Sequence, residues 1–445
     1  MSSGNQLPGT GRSRLEIVVG AAAVAAAAGV GVAASHWPGS LLPIALIAAA
    51  VAFVFLRTEI ALLVLVASGA LEFAISYGAQ STLTPTKLAG ILCFLSFAFN
   101  TIVNRRKLVG DWALGFVLAI LGVAMISTLT ARDSSAAIAT TTRYASFVAL
   151  FFVISQYVRE ERLFGRVVWV LSIAASITGA VSVWSFLSGQ TLLARTTYGD
   201  PNDIAFVLAT TLPLTFWLLR ERGLRRMLVM AMIAMIGLTI LLTFSRGAMV
   251  GLGVALLWKV VAEGRQRGAI VAGVVAAIAA VGIVLAIDSG RVETGLKAKQ
   301  KVAQENVATR LDAWDKAATF AAYHPLLGVG PGNFRVEYAR VVDAPAGTKT
   351  IAVVHNAYLD IAAELGVIAL ILFVGYLIVV FGYATAAARA GLGPPGLADA
   401  VRTSLIVAIL AALTLSEQYY APFWLLGGLA CAMWHLRDRQ GQPEE

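Results

Sequence analysis

Apolar runs of roughly 16 to 22 residues recur along this chain, separated by short segments that carry most of its charge. About 20 residues of α-helix cross a hydrocarbon core of about 30 Å. Within lipid every backbone N–H and C=O must be bonded inside its own segment, which excludes isolated strands and leaves helices. The composition agrees, because 58% of the residues are apolar and only 13% are charged, against about 25% charged in an ordinary soluble domain. The fold class is therefore all-α: a polytopic integral membrane helical bundle of about 12 to 14 spans with one large helical loop on its outer face.

The spacing places spans near 15–34, 41–56, 59–77, 87–103, 112–130, 137–157, 165–187, 203–219, 227–243, 247–261, 269–287, 357–384, 400–417 and 421–436. The first of these follows Arg12 and Arg14 and has small residues before His36, so it has some features of a secretory leader. It is about 20 residues long and many spans follow, so it is read here as the first span. Residues 227–258 carry one charge, Arg246. A single helix of that length would reach about 48 Å, well beyond the hydrocarbon thickness. Two short helices meeting near Thr243–Gly247 fit instead, with their apex dipping below the outer headgroups.

Lysine and arginine bias orients the bundle. With the N-terminus inside, the inner segments hold clusters such as Arg105, Arg106 and Lys107, then Arg159, Arg162 and Arg166, then Arg220, Arg222, Arg225 and Arg226. The short outer segments hold only Lys87, Arg132, Arg143, Arg195 and Arg246. This divides the chain into N-terminal spans with short loops (1–287), a large outer loop (288–356) and C-terminal spans (357–445). Both termini are expected inside. No internal repeat is visible.

Several chemistries lack the residues they need. Cys93 and Cys431 sit inside apolar runs, so neither a disulfide framework nor a thiolate metal site is indicated. The net charge of +9 punctuates the apolar runs and forms no basic face for nucleic acid. There are no clustered carboxylates and no His-x-x-x-His or Asp-x-Asp spacing, so metal-free and cofactor-free chemistry is expected. Gly328-Val329-Gly330-Pro331-Gly332 follows a helical pattern and lacks the Walker Lys-Ser/Thr, so it is read as a tight turn, with an anion-binding nest of backbone amides as the lesser alternative.

The loop between spans is patterned. Lys297 to Tyr323 carries Val307, Leu311, Trp314 and Ala318 at helical spacing, which predicts a helix ended by Pro325 with those residues on its apolar face. Arg246, at membrane depth with no acid nearby in sequence, is a functional candidate by default, the alternative being an arginine that snorkels to headgroups. Arg310, one turn before Trp314, and Arg195, in the outer loop that also contains Asn202, weigh evenly between a functional role and a solvated surface. Arginines converging on one outer face suit a phosphate or diphosphate, which guanidinium binds in bidentate fashion. His355 lies at the mouth of a span beside Asn356 and Tyr358, where an imidazole can take a proton near neutral pH. A structural histidine is the alternative.

Thr243-Phe-Ser-Arg246-Gly, Arg310-Leu-Asp-Ala-Trp314, Pro325-Leu-Leu-Gly-Val-Gly-Pro-Gly-Asn-Phe334 and His355-Asn-Ala-Tyr-Leu359 together resemble the O-antigen ligase/polymerase superfamily over roughly 195–385. The chain departs from that family's commonest twelve-span layout by its fourteen expected spans. The resemblance implies a bacterial inner-membrane transferase that works at the periplasmic face. Its donor is a glycan on undecaprenyl diphosphate, its acceptor a hydroxyl of lipid A–core or of another glycan, and membrane lipids surround it. It also implies His355 as the catalytic histidine, Arg246 and Arg310 as diphosphate-binding residues, and Arg195 with Asn202 in weaker donor contact. Trp314, Asn356 and Tyr358 would support them. The leading expectation is O-antigen ligase. An O-antigen or exopolysaccharide polymerase uses the same donor, and a lipid-oligosaccharide flippase is the alternative of another class.

Overall fold

The computed structural model describes residues 51–74, 84–196, 199–263, 282, 289–290, 292–297, 309–342, 353–416 and 418–440. The expected span 15–34, most of 41–56, all of 269–287 except residue 282, and residues 298–308 of the expected loop helix lie outside the described residues. The described chain is helical, with no strand among these residues. Its principal elements are α1 (Thr58–Leu71), α2 (Pro85–Val103), α3 (Trp112–Thr130), α4 (Ser134–Tyr157), α5 (Glu161–Leu187), α6 (Pro201–Trp217) and α7 (Leu224–Leu242). They continue with α8 (Arg246–Glu263), a loop helix α9 (309–323), α10 (Phe334–Val341), α11 (Ala357–Ala390), α12 (Leu397–Ala411) and α13 (Ala421–Trp434).

Seven described helices, α2 to α7 and α11, are long and apolar enough to cross a membrane, and α1, α8 and α13 include shorter apolar helices. The chain is a multi-pass membrane protein. The stretch 227–258 forms two helices with a turn at Thr243–Ser245, as its single charge implies. Other ends differ from the expected spans. The span predicted over 59–77 stops at Leu71, where Glu72 turns aside to pair with Arg143 at 2.7 Å. The span predicted over 400–417 stops at Ala411, and the carbonyl of Ala412 accepts a bond from Ala357 N at 2.9 Å.

Polar residues at the ends fasten the helices. Asp111, Asp133, Asp200 and Asn356 cap α3, α4, α6 and α11, each accepting from an amide of the first turn, and α2 and α6 begin with proline at a position that needs no amide donor. In the interior, α13 is enclosed from Pro422 to Met433 and packs between α4 and α11. The outward faces are the reverse of a soluble protein's. On α11 the residues Ile368, Ile371, Val374 and Ile378 are exposed, and on α3 Leu118, Met125, Ile126 and Leu129 are exposed, at the three- and four-residue spacing of a helix face turned to lipid.

Candidate functional site

Segments from distant parts of the chain meet at one end of the bundle. Helix α7 ends at Leu242, Phe244 turns the chain with a left-handed backbone (φ 51°), and Arg246 opens α8. Its guanidinium is exposed. A cation in the first turn opposes the helix dipole, whose N-terminal end is positive. The next residue, Gly247, packs against Thr414 beyond the end of α12, where a Cβ would collide with the threonine side chain. The outer loop before α6 joins this turn, because Ala194 N donates to Leu242 O at 3.1 Å. That bond fastens the segment carrying the exposed Arg195 to the end of α7, four residues before Arg246.

Arg310 approaches from α9. Burial pushes its guanidinium below the ordinary arginine pKa, Asp200 acts against the shift and Arg246 adds to it, so these three charges share one electrostatic neighbourhood. The Nε of Arg310 is buried and finds no hydrogen-bond partner among the described residues. One turn further along α9, Trp314 Nε1 donates to Val354 O at 2.8 Å, which fixes the residue directly before His355.

His355 is half-buried and held in the left-handed region at φ 50°, a conformation that costs a non-glycine residue about 1–2 kcal/mol. Both flanks hold it there. Val354 is buried beneath α9, and Asn356 caps α11 by accepting from Tyr358 N and Leu359 N at 3.0 and 3.1 Å. Tyr358 sends its hydroxyl to Ile409 O at 3.0 Å and so ties α11 to α12. Asn356 and Tyr358 therefore position the backbone around His355. Asn202 lies in the first turn of α6, its amide capped by Asp200 at 2.7 Å.

The loop helix has a different apolar face from the one expected. Leu311 is 58% exposed and Ala318 is exposed, while Ala313, Ala317 and Phe320 are buried against Phe334, Tyr338 and Val354. Val307 lies outside the described residues. Small alanines let α9 lie close against the aromatic pair of α10, and the face turns accordingly, since each residue advances about 100° around a helix. Trp314 remains at its edge.

The glycine-rich segment is the tight turn. Gly328, Gly330 and Gly332 all have positive φ. Val329 N and Gly330 N donate to the carbonyls of Ala363 and Glu364 at 2.9 Å each, and Val367 N donates to Pro325 O at 2.8 Å. These bonds need α11 to open, and it breaks at Gly366 (φ 86°), where a Cβ would come within 2.7 Å of the Pro325 and Leu326 carbonyl oxygens. The amides of the alternative anion nest are occupied by acceptors within the chain. The buried carboxylate of Glu364 accepts from Gly332 N at 2.7 Å and Phe334 N at 3.2 Å, and from the Tyr419 hydroxyl. Ser127 Oγ on α3 donates to Leu327 O at 2.6 Å, and Asn333 Oδ1 accepts from Asp133 N at 2.8 Å.

A family profile described as O-antigen ligase matches residues 230–374, the stretch that contains Arg246, Arg310, the glycine-rich turn and His355. Over that stretch the chain is similar to the O-antigen ligase family. An O-antigen ligase of Pseudomonas aeruginosa is 26% identical over 223 residues, which cover 48% of this chain and 50% of that relative. The chain thus spans about half the length of the curated relative it matches. Several residues around the site escaped the sequence reading. Glu364 and Asp360 are buried acids in an apolar run, the latter bonded by Gln418 Nε2 at 2.8 Å. An acid inside a span is itself a signal of a built-in role. Asp200, Gln418 and Tyr419 carried no such signal, because their roles depend on partners remote in sequence.

Proposed function

We propose that the chain is an O-antigen ligase: an inverting glycosyltransferase of the bacterial inner membrane that moves a glycan from undecaprenyl diphosphate to a hydroxyl of lipid A–core at the periplasmic face. The observation that carries this reading is the half-buried Arg310, whose Nε has no partner among the described residues and whose charge lies within electrostatic reach of Arg246. Arg310 loses hydration and is repelled by the charge of Arg246, so the arrangement suits an anion that binds both. A lipid diphosphate provides that anion, with Arg195 as a further cation nearby.

In this mechanism the acceptor hydroxyl gives its proton to His355 while its oxygen attacks the anomeric carbon. The C1–O bond to the diphosphate breaks, and the departing oxygen keeps the electron pair. Arg246 and Arg310 neutralise that developing charge, a task that fixed donors perform best in a partly dehydrated site. Attack opposite the leaving group inverts the anomeric centre. Arginine balances the charge of the departing diphosphate in this scheme, so the reaction needs no metal from the protein.

A polymerase of the same superfamily would share the donor and take the terminal sugar of another repeat unit. A flippase predicts broken helices lining a path near the bilayer midplane in two matched halves. The break at Gly366 is instead filled by the chain's own 325–333 turn. The decisive assay offers purified protein undecaprenyl-diphosphate glycan and lipid A–core with excess chelator and no nucleotide. Product on lipid A–core supports ligase. Elongation of the lipid-linked glycan alone would make the protein a polymerase, and absence of any transfer alongside transbilayer movement of the donor would make it a flippase.

A further inference from the structure

The opposite end of the bundle carries a second candidate site, independent of the proposed reaction. A cavity of about 570 Å³ opens there between the ends of α2, α4 and α5, and Arg106, Lys107, Arg159, Arg162 and Arg166 line it. Three acids, Glu59, Glu160 and Asp438, share the lining. Two of them are engaged, Glu59 by Arg166 and Asp438 by Arg437. Lys107 and Arg162 form no ion pair among the described residues.

Basic residues at this end follow from the charge bias of membrane loops, and most such loops are loose and solvated. This one is fastened. The Gln156 side chain bonds both Val109 N and Val109 O, each at 2.9 Å. Two residues on, Asp111 caps α3 and meets His435 Nε2 at 2.7 Å, while His435 Nδ1 lies 3.1 Å from Ser155 O. The segment carrying Arg106 and Lys107 is thereby held against α4. Arg106 also lies over the Tyr157 ring at 5.4 Å. One part of the cavity wall is apolar, formed by Phe97, Tyr157 and Leu163, and Phe97 meets Tyr157 edge-on at 6.4 Å. Beside the lining residue Thr101, Ile102 is 77% exposed, and Phe94, Leu95 and Ile91 continue an exposed apolar surface along α2.

Lys107 and Arg162, without an ion pair among the described residues, together with aromatic side chains in the wall and an adjoining apolar helix face, match a molecule with an anionic head and hydrocarbon chains. We propose that this cavity binds the headgroup of an anionic phospholipid, with guanidinium and ammonium groups on the phosphate and the acyl chains lying along α2. Basic pockets between spans on the cytoplasmic side are suited to such heads, and guanidinium matches phosphate in bidentate geometry.

The test titrates the detergent-solubilised full-length protein with short-chain phosphatidylglycerol, short-chain phosphatidylcholine and inorganic phosphate, with binding read by native mass spectrometry. Phosphatidylglycerol is expected to bind at least ~10-fold more tightly than phosphatidylcholine, with inorganic phosphate failing to displace it at equal concentration. Lys107→Gln combined with Arg162→Gln is expected to weaken phosphatidylglycerol at least ~10-fold, while Arg222→Gln combined with Arg225→Gln leaves it unchanged. Equal binding of the two lipids, displacement by inorganic phosphate, or an equal loss in both double variants would each overturn the proposal. If the first double variant fails to fold, the comparison of the three ligands on the unaltered protein still decides.

Discussion

Arg246 and Arg310 illustrate how a residue's position can argue against a purely structural role. Arg246 stands in the first turn of α8, where the helix dipole disfavours a cation. Arg310 is half-buried within electrostatic reach of it and leaves its Nε without a partner among the described residues. If both hold a diphosphate, Arg310→Ala is expected to slow transfer by about 10²–10³. Arg310→Lys should recover only part of that, since ammonium keeps the charge and loses the two-pronged geometry. Steady-state rates with purified lipid-linked donor measure both, and full recovery by lysine would show that only charge matters. His355→Ala is expected to reduce transfer by about 10²–10⁴, the range of a general base, while binding of the donor persists. A His355→Ala protein that transfers at the unaltered rate would remove the base from the mechanism.

Helix α11 and the turn that fills its break form one unit. Glu364 holds that turn through Gly332 and Phe334, and Gly366 gives the carbonyls of Pro325 and Leu326 room to approach. Gly366→Ala must place a Cβ in a left-handed position against those oxygens, at a cost of about 1–3 kcal/mol from backbone strain alone. Thermal unfolding in detergent should therefore show a lower transition temperature, together with loss of transfer because His355 lies at the start of the same helix. Glu364→Ala strands the Gly332 and Phe334 amides, worth about 1–3 kcal/mol for each buried unsatisfied group. Glu364→Gln keeps an acceptor for one of them and should fall between. Equal stability of all three variants would mean that the turn is held elsewhere, for instance by Ser127 and Asn333.

At the scale of the whole molecule, the two ends of the bundle differ in chemistry. One end holds Arg246 and His355 with the packed pair α9 and α10 that carries Arg310, and the other holds the fastened basic cavity. The cation bias assigns the first to the outside and the second to the cytoplasm. Cys93 and Cys431 are buried, so single engineered cysteines can be read over a silent background. In intact cells with a permeable outer membrane, Arg340→Cys is expected to react with an impermeant maleimide, and Arg162→Cys only after the inner membrane is opened. The reverse pattern would invert the protein and remove periplasmic chemistry at His355.

Hydropathy and charge bias are local properties of a chain, so the amino-acid order by itself determined the helical class, the membrane setting, the hairpin through Thr243–Gly247 and the orientation expected from lysine and arginine. Order and spacing of motifs also singled out Arg246, Arg310 and His355. Tertiary structure decided what no local pattern carries. It turned α9 onto Ala313, Ala317 and Phe320 in place of Leu311, because the face that packs depends on the partner's shape. It gave Asn356 and Tyr358 positioning roles and filled the nest of amides with Glu364. It also set Asp200 within electrostatic reach of Arg310, over a hundred positions along the chain. Such pairings arise from the geometry of helices packed side by side, and separation in sequence says little about distance in a bundle.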